Sequence, residues 1–412
     1  MLTLRNAVLH DGTTVDVTIE GDRISTVEAV TSGANGSGTA NGSGPALGRS
    51  IDLSGHLLTS SFAEPHAHLD KALTADLVSN PAGDLVGAIE AWLAYRTTIT
   101  KTDFASRATE AALLGLANGC TAVRTHVDIG PDIGTTGVEA LLEVKAVLAS
   151  TMDLQLVGLI GGLTGPTAAE SMAVLRDALD MGLDIVGGVP HREQDPARSI
   201  ELAFAAAAEH GRPVDLHADE TLDPTAHDLE LMAERVTATG FEHGVTASHC
   251  VALGMKSEAD QHRIAEATAA AGINVITLPQ TNLYLQARDV AVAAPRGLTA
   301  LGPLERAGVT VAAGGDNLQD PFCIVGRADP METASLLVMA GHLSAADAYR
   351  MVSDRARAAM GLEPTAVEPG KLADLVAMPA PSLRQAVAAG PPGRLVIRQG
   401  VVVSADEGNA LG

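Results

Sequence analysis

Leu57-Leu58-Thr59-Ser60-Ser61-Phe62-Ala63-Glu64-Pro65-His66-Ala67-His68-Leu69-Asp70-Lys71 runs from a short apolar segment into two histidines one residue apart. The apolar part, 57–62, lies between Gly55 and Pro65, and its length suits a buried strand. Side chains alternate along a strand, so His66 and His68 point to one side at its C-terminal end. Imidazole is a common ligand of divalent transition metals. The pair is a candidate metal site, and the rest of the chain decides between that and two polar loop residues.

From residue 56 onward, strand-like runs alternate with helix-like ones. The strand runs are 57–62, 121–127, 154–159, 184–188, 214–216, 245–248, 274–278 and 309–313. Amphipathic stretches at 137–149, 168–181, 198–210, 225–239 and 257–271 separate them, and 331–341 and 344–360 follow the last. Eight strands, each followed by a crossover, is the pattern of an α/β protein built as a (β/α)8 TIM barrel. A doubly wound open sheet is the alternative. It normally carries a Gly-rich nucleotide turn after its first strand, which this chain lacks.

The two ends read differently. Residues 2–9, 14–20, 23–27 and 50–53 are short extended runs with turns at Asp11-Gly12 and Gly21-Asp22. Near the other end, 371–378 and 395–403 are again extended. The simplest pairing joins them into one small β-sandwich domain formed by both termini. The expected organisation is 1–55 for its first part, with a flexible Gly- and Ser-rich loop at 32–49, then the barrel over 56–365, then 366–412 for its second part.

Composition narrows the function classes. Only 2% of residues are aromatic against 46% hydrophobic, so the core must be built from Ala, Val, Leu and Ile. A net charge of −23 argues against nucleic acid and anionic membrane as partners. Cys120, Cys250 and Cys323 are widely spaced, which suggests neither a disulfide framework nor a thiolate metal site. The polar start and the lack of a long apolar run speak against a secretory signal and a membrane span. The expectation is a cytoplasmic protein, a possible homo-oligomer, with a small molecule as its partner.

Barrel chemistry sits at the C-terminal ends of the strands. There the chain places His66 and His68, then Arg124-Thr125-His126-Val127-Asp128, His217-Ala218-Asp219-Glu220, Ser248-His249-Cys250 and Gly314-Gly315-Asp316-Asn317. Three histidines and an aspartate can hold one divalent metal and leave a place for water. The metal makes that water acidic near neutrality. One carboxylate can take the water's proton, and a second, kept protonated, can deliver one to a leaving group. Glu220, three residues past His217, can reach the mouth without ligating.

These motifs, with Pro65-His66-Ala67-His68-Leu69-Asp70 and Asp316-Asn317-Leu318-Gln319-Asp320-Pro321-Phe322, resemble the amidohydrolase superfamily, and most closely its bacterial cytosine deaminase-like branch. The resemblance covers nearly the whole chain. It implies that His66, His68, His217 and Asp316 bind one divalent metal, Zn2+ or Fe2+. It also implies that His249 contacts the bound water and the oxyanion, and that Glu220 shuttles a proton to the ring nitrogen. Members with two metals carry a lysine at the end of strand four; here 184–191 has none, so a mononuclear site fits better.

Two departures bear on the substrate. Gly161 stands about where cytosine deaminases place a glutamine that reads the pyrimidine edge, and Asn317 stands where they place a second aspartate. Losing a buried hydrogen-bond partner changes discrimination steeply, so the reaction class carries over and cytosine as substrate does not. The expected function is hydrolysis of a C–N bond in a small nitrogen heterocycle, first as a deaminase releasing ammonia. The alternatives are release of a substituted amine, as in the related triazine enzymes, opening of a cyclic amide, or a non-catalytic scaffold. Gly161, His191 and Asn317 are expected beside the substrate, and His126 and Trp92 as packing residues. Loops 281–296 and 323–330 are expected to face the pocket.

Overall fold

The structure, a computed structural model, describes residues 1–30 and 48–405. Eight strands form one parallel sheet in strict chain order. They are β1 (Phe62–Ala67), β2 (Cys120–Ile129), β3 (Asp153–Ile160), β4 (Ile185–Gly188), β5 (Val214–Ala218), β6 (Val245–His249), β7 (Asn274–Thr277) and β8 (Val311–Ala313). The chain is thus a (β/α)8 barrel, as its alternation implies. A parallel bridge between Ala67 and Asp316 closes the ring. Its hydrogen bond runs from the Asp316 amide to the His66 carbonyl at 3.1 Å.

Short strands buried on both faces read as continuous apolar runs, because helices cover the outside and side chains fill the inside. Every residue of β4, β5 and β6 is buried. With few aromatics, small side chains carry the packing. Ala63, Ala122 and Ala312 from β1, β2 and β8 meet Ile276, Ala356, Ala359 and Met360 in one cluster. The helix Pro196–His210 illustrates how the crossovers are punctuated. Asp195 accepts from the Arg198 amide, Pro196 stands in the first turn, and Gly211 ends the helix at φ +61°. Its buried face is Ile200, Ala203, Phe204, Ala206 and Ala207.

Both chain ends build a second, eight-stranded sheet. Leu57–Ser60 lies at its centre, pairing antiparallel with Leu375–Met378 and touching Leu2–Val8 at Val8. This corrects the assignment of 57–62 as the first barrel strand. The run divides at Ser61, whose amide donates to Asp374 while the next amide, Phe62, donates to Gly119. Both halves are apolar and buried, so composition could not tell which sheet each joins. The stretch 344–360 also divides, into Ala345–Met351 and Asp354–Ala359. Two helices lie between β1 and β2, Leu85–Arg96, which carries Trp92, and Lys101–Ala117, and the second stands where no helix was assigned. The loop expected over 32–49 lies outside the described residues except for 48 and 49, and Arg49 opens a strand, Arg49–Asp52.

Candidate active site

β1 is not a regular strand. Glu64 pairs with Val123 and Ala67 with Thr125, so three steps on β1 face two on β2. The extra residue falls at Pro65-His66, where Pro65 has no N–H for the ladder. Glu64 braces this bulge: its carboxylate accepts from the His66 amide at 3.1 Å and from the Gly315 amide at 2.8 Å. The contact to Gly315 ties the seam between β1 and β8 directly before Asp316.

His66 Nδ1 lies 2.9 Å from Ser248 Oγ, and Ser248 donates to Asp215 Oδ1 at 2.9 Å. Arg124 donates to the other Asp215 oxygen at 2.9 Å. Ser248 has one proton, so its oxygen accepts from His66 Nδ1–H, and this leaves the lone pair on His66 Nε2. That nitrogen is buried without a hydrogen-bond partner and stands 3.6 Å from Asp316 Oδ1. His68 Nε2 stands 3.3 Å from the same oxygen and 3.2 Å from His217 Nε2. Both Asp316 oxygens and His249 Nε2 also lack hydrogen-bond partners.

Bare buried polar atoms are costly unless something binds them. Here they converge: His66, His68 and Asp316 bring ligand atoms within 4.8 Å of one another, and so do His66, His217 and His249. Burial, with the neighbouring imidazoles, holds His66 and His217 well below the ordinary histidine range. They are therefore neutral, the form that ligates metal. The donor set fits a divalent cation.

Two further titratable groups, Glu220 and His249, sit beside it. Asp219 and Asp228 each accept the other's backbone N–H, at 2.7 and 3.2 Å, and this reciprocal cap fixes the turn carrying Glu220. Glu220 Oε1 is 3.5 Å from His249 Nδ1. Burial, and next Asp316, push the Glu220 carboxyl well above its ordinary value, with Arg192 opposing. His249 Nδ1 lies 3.2 Å from Asn282 Oδ1, an acceptor, so its proton is on Nδ1 and Nε2 faces Asp316 Oδ2 at 3.9 Å. Asp316 and His249 have left-handed backbones, φ +63° and +71°. Such strain costs about 1–3 kcal/mol per residue and persists only where packing imposes it.

A cavity of about 590 Å³ opens above the cluster. One wall is a charged group that sequence reasoning passed over. Asp128 accepts from Trp92 Nε1 at 2.7 Å, Arg96 at 3.1 Å and Lys71 at 3.2 Å, and Lys71 Nζ is 3.0 Å from His68 Nδ1. Lys71 and Asp128 both lay within the quoted motifs. Trp92 is buried as expected, yet it lines this wall as well as packing.

The expected substrate-side residues divide. Gly161 lines the cavity, and a Cβ there would meet nothing within 4 Å. Asn317 also lines it, but its amide is already committed, with Oδ1 accepting from Thr281 at 3.1 Å and Nδ2 donating to Asp320 at 2.9 Å. His191 does not line it. Its ring lies 3.4 Å from Asp228 and borders a separate outer cavity. His126 is fully buried, stacked against His66 with ring centroids 3.9 Å apart. Nor do loops 281–296 and 323–330 line the cavity; 285–289 border the outer one. The walls come mostly from the connections after β1 to β4, with Glu220 after β5 and Asn317 and Phe322 after β8, while Pro279–Leu285 turns into a helix directly after β7.

A (β/α)8 barrel with converging imidazoles, an aspartate and a buried glutamate at its mouth defines a hydrolase of this architecture. Residues 117–404 match the model of the amidohydrolase family, and the chain belongs to that family, whose enzymes hydrolyse C–N bonds. It is 30% identical over 370 residues to the pterin deaminase of Rhizobium rhizogenes, across 88% of this chain and 84% of that protein. It is 27% identical over 424 residues to the N-isopropylammelide isopropyl amidohydrolase of a Pseudomonas species, across 98% of each. The crystal structure of 5-methylcytosine deaminase from Klebsiella pneumoniae, liganded with 5-fluorocytosine, superimposes with a TM-score of 0.87 at 29% identity, covering 98% of each chain. Among the described residues no helix is long and apolar enough to cross a membrane.

Proposed function

We propose that the protein is a deaminase of a small nitrogen heterocycle, with His66, His68, His217 and Asp316 holding one divalent ion, Zn2+ or Fe2+. The observation that carries this reading is the set of buried, unpartnered donor atoms facing one another beside Glu220, whose carboxyl burial pushes well above its ordinary range. The ion would supply a Lewis acid that makes water nucleophilic near neutral pH. Asp316, whose oxygens carry no other hydrogen bond, takes the proton of the attacking water. His249, whose unprotonated Nε2 faces Asp316, would accept a hydrogen bond from the attacking water and orient it. Glu220 gives its proton to the adjacent ring nitrogen, so the C=N bond becomes a tetrahedral centre. Proton transfer to the amino group then lets the C–N bond break and ammonia leave.

A second reading, release of a substituted amine, is favoured by the open space at Gly161 and by the likeness to an isopropylammelide hydrolase. We place the protein in the cytoplasm, where its three free, buried thiols stay reduced. The test is elemental analysis of the purified protein together with a panel of aminopyrimidines, pterins, triazines and cyclic ureas, reading ammonia against other amines. Stoichiometric metal with ammonia release supports the first reading, and larger amines support the second. A metal-free protein that zinc, iron and manganese all fail to activate overturns both.

A further inference from the structure

The cavity, about 590 Å³, is much larger than a single six-membered ring, and the end of it formed by the loops after β3 and β4 carries polar groups to which the proposed reaction gives no role. The chain turns there after β3 through Gly161 and Gly162 into the helix Ala168–Asp180. Thr167, at the N-cap of that helix, makes no capping hydrogen bond. The first-turn amides are therefore not closed off by it. Ser171, one turn further on, is fully buried, lines the cavity, and has no partner for its Oγ. Gly162 leaves both hydroxyls uncovered. A Cβ there would stand 2.7 Å from Thr167 Oγ1 and 3.2 Å from Ser171 Oγ.

The loop after β4 adds a cation. Glu193 accepts from the Leu163 amide at 3.0 Å, the Thr164 amide at 3.0 Å and Thr164 Oγ1 at 2.8 Å. These bonds tie the two loops together and occupy the Glu193 carboxylate. Arg192 is next to it in the chain, lines the same cavity, and its guanidinium has no ion pair or hydrogen bond among the described residues. An unpaired guanidinium, two free hydroxyls and a helix N-terminus are donors that together suit an anion.

Resting on the deaminase reading above, we propose that this end of the cavity is a second subsite. It takes an anionic substituent, a carboxylate, carried by the heterocycle whose amino-bearing carbon faces the histidine cluster. Arg192 and Thr167 with Ser171 are then residues that set specificity. One hydrogen bond to a charged group corresponds to a selectivity of about 10- to 100-fold.

The experiment uses pterin, pterin-6-carboxylate and pterin-6-carboxamide, with cytosine and cytosine-5-carboxylate as the single-ring pair. Calorimetric binding and turnover are both measured on the metal-loaded wild type and on Arg192→Gln, Thr167→Val and Ser171→Ala. The expected result is that a carboxylated ring binds about 10- to 100-fold more tightly than its neutral partners. This ratio falls toward one in Arg192→Gln and drops partway in Thr167→Val, which keeps the inference testable should Ser171→Ala misfold. Equal binding of charged and neutral rings, no binding of either, or a preference that survives all three substitutions overturns it. The two readings fail separately. Charge-selective binding lost in Arg192→Gln but without ammonia release overturns the reaction and supports the subsite; ammonia release without charge selectivity does the reverse.

Discussion

Replacing Ser248 by alanine separates orienting a ligand from being one. Ser248 Oγ stands between His66 Nδ1 and Asp215 Oδ1 at 2.9 Å from each. All three residues are fully buried. In Ser248→Ala the His66 N–H loses its acceptor, and the ring is no longer held with Nε2 toward Asp316. A buried polar group left unpaired costs about 1–3 kcal/mol, and each 1.4 kcal/mol is tenfold, so metal affinity should fall by about 5- to 100-fold. That agrees with the usual effect of losing a hydrogen-bond partner behind a metal-ligating histidine. The assay is competition for Zn2+ against a chelator of known affinity, with thermal melting of both metal-free proteins as the check on folding. An affinity within twofold of wild type in a normally melting variant would refute this account of how His66 is oriented.

Glu220→Gln should keep its metal while turnover drops by about 10²–10⁴-fold, the usual worth of a general acid–base group; wild-type turnover would reassign the proton to another residue. His217→Ala should lose metal and activity together, and a full metal complement in that variant would remove His217 from the ligand set. At Asp128 burial raises the carboxyl pKa, but Lys71 and Arg96 outweigh it and hold the group below the ordinary carboxylate range. Its stabilisation is therefore complete above pH ~4 and is lost as pH falls below that value. Asp128→Asn should cost about 1–3 kcal/mol at pH 7, because buried Lys71 keeps Asp70 at 3.3 Å and half-buried Arg96 keeps Asp132 at 2.8 Å. Urea unfolding should show the deficit shrinking toward pH 3, and a deficit independent of pH would contradict the assignment.

The eight-strand alternation and the ring of strand-end residues were legible because both rest on short-range pattern. Apolar runs of strand length alternate with helical periodicity, and chemistry-bearing residues recur where the runs stop. The splitting of 57–62 at Ser61 was not legible. Leu57–Ser60 and Phe62–Ala67 are both buried, and only pairing with Leu375–Met378, some three hundred residues away, assigns the first half to the other sheet. The cavity walls escaped for a related reason. Trp92, Arg96 and Asp128 meet through a helix in the β1–β2 connection, and no local spacing encodes that meeting. His191 follows β4 closely, as Glu220 follows β5, yet the 3-10 turn Pro190–Arg192 carries it to Asp228 and leaves Arg192 facing the cavity.

The position of the proposed metal ligands along the barrel seam has a consequence of its own. β8 is only three residues long, and one bridge, Ala67 to Asp316, joins it back to β1. By contrast β2 and β3 share eight paired positions. The β1–β8 junction is thus the thinnest part of the ring, and it is spanned by His66 and His68 on one side and Asp316 on the other. A cation bound by both sides acts as a cross-link across it, and binding to the folded state alone is worth about 4 kcal/mol at a thousandfold excess over Kd. Removing the metal with a chelator should therefore speed amide exchange at 62–68 and 311–317 well before the β2–β3 pair responds. Exchange that rises evenly around the barrel, or not at all, would mean that the seam is held by the Glu64–Gly315 contact and the Asp316–His66 bridge without help from the metal.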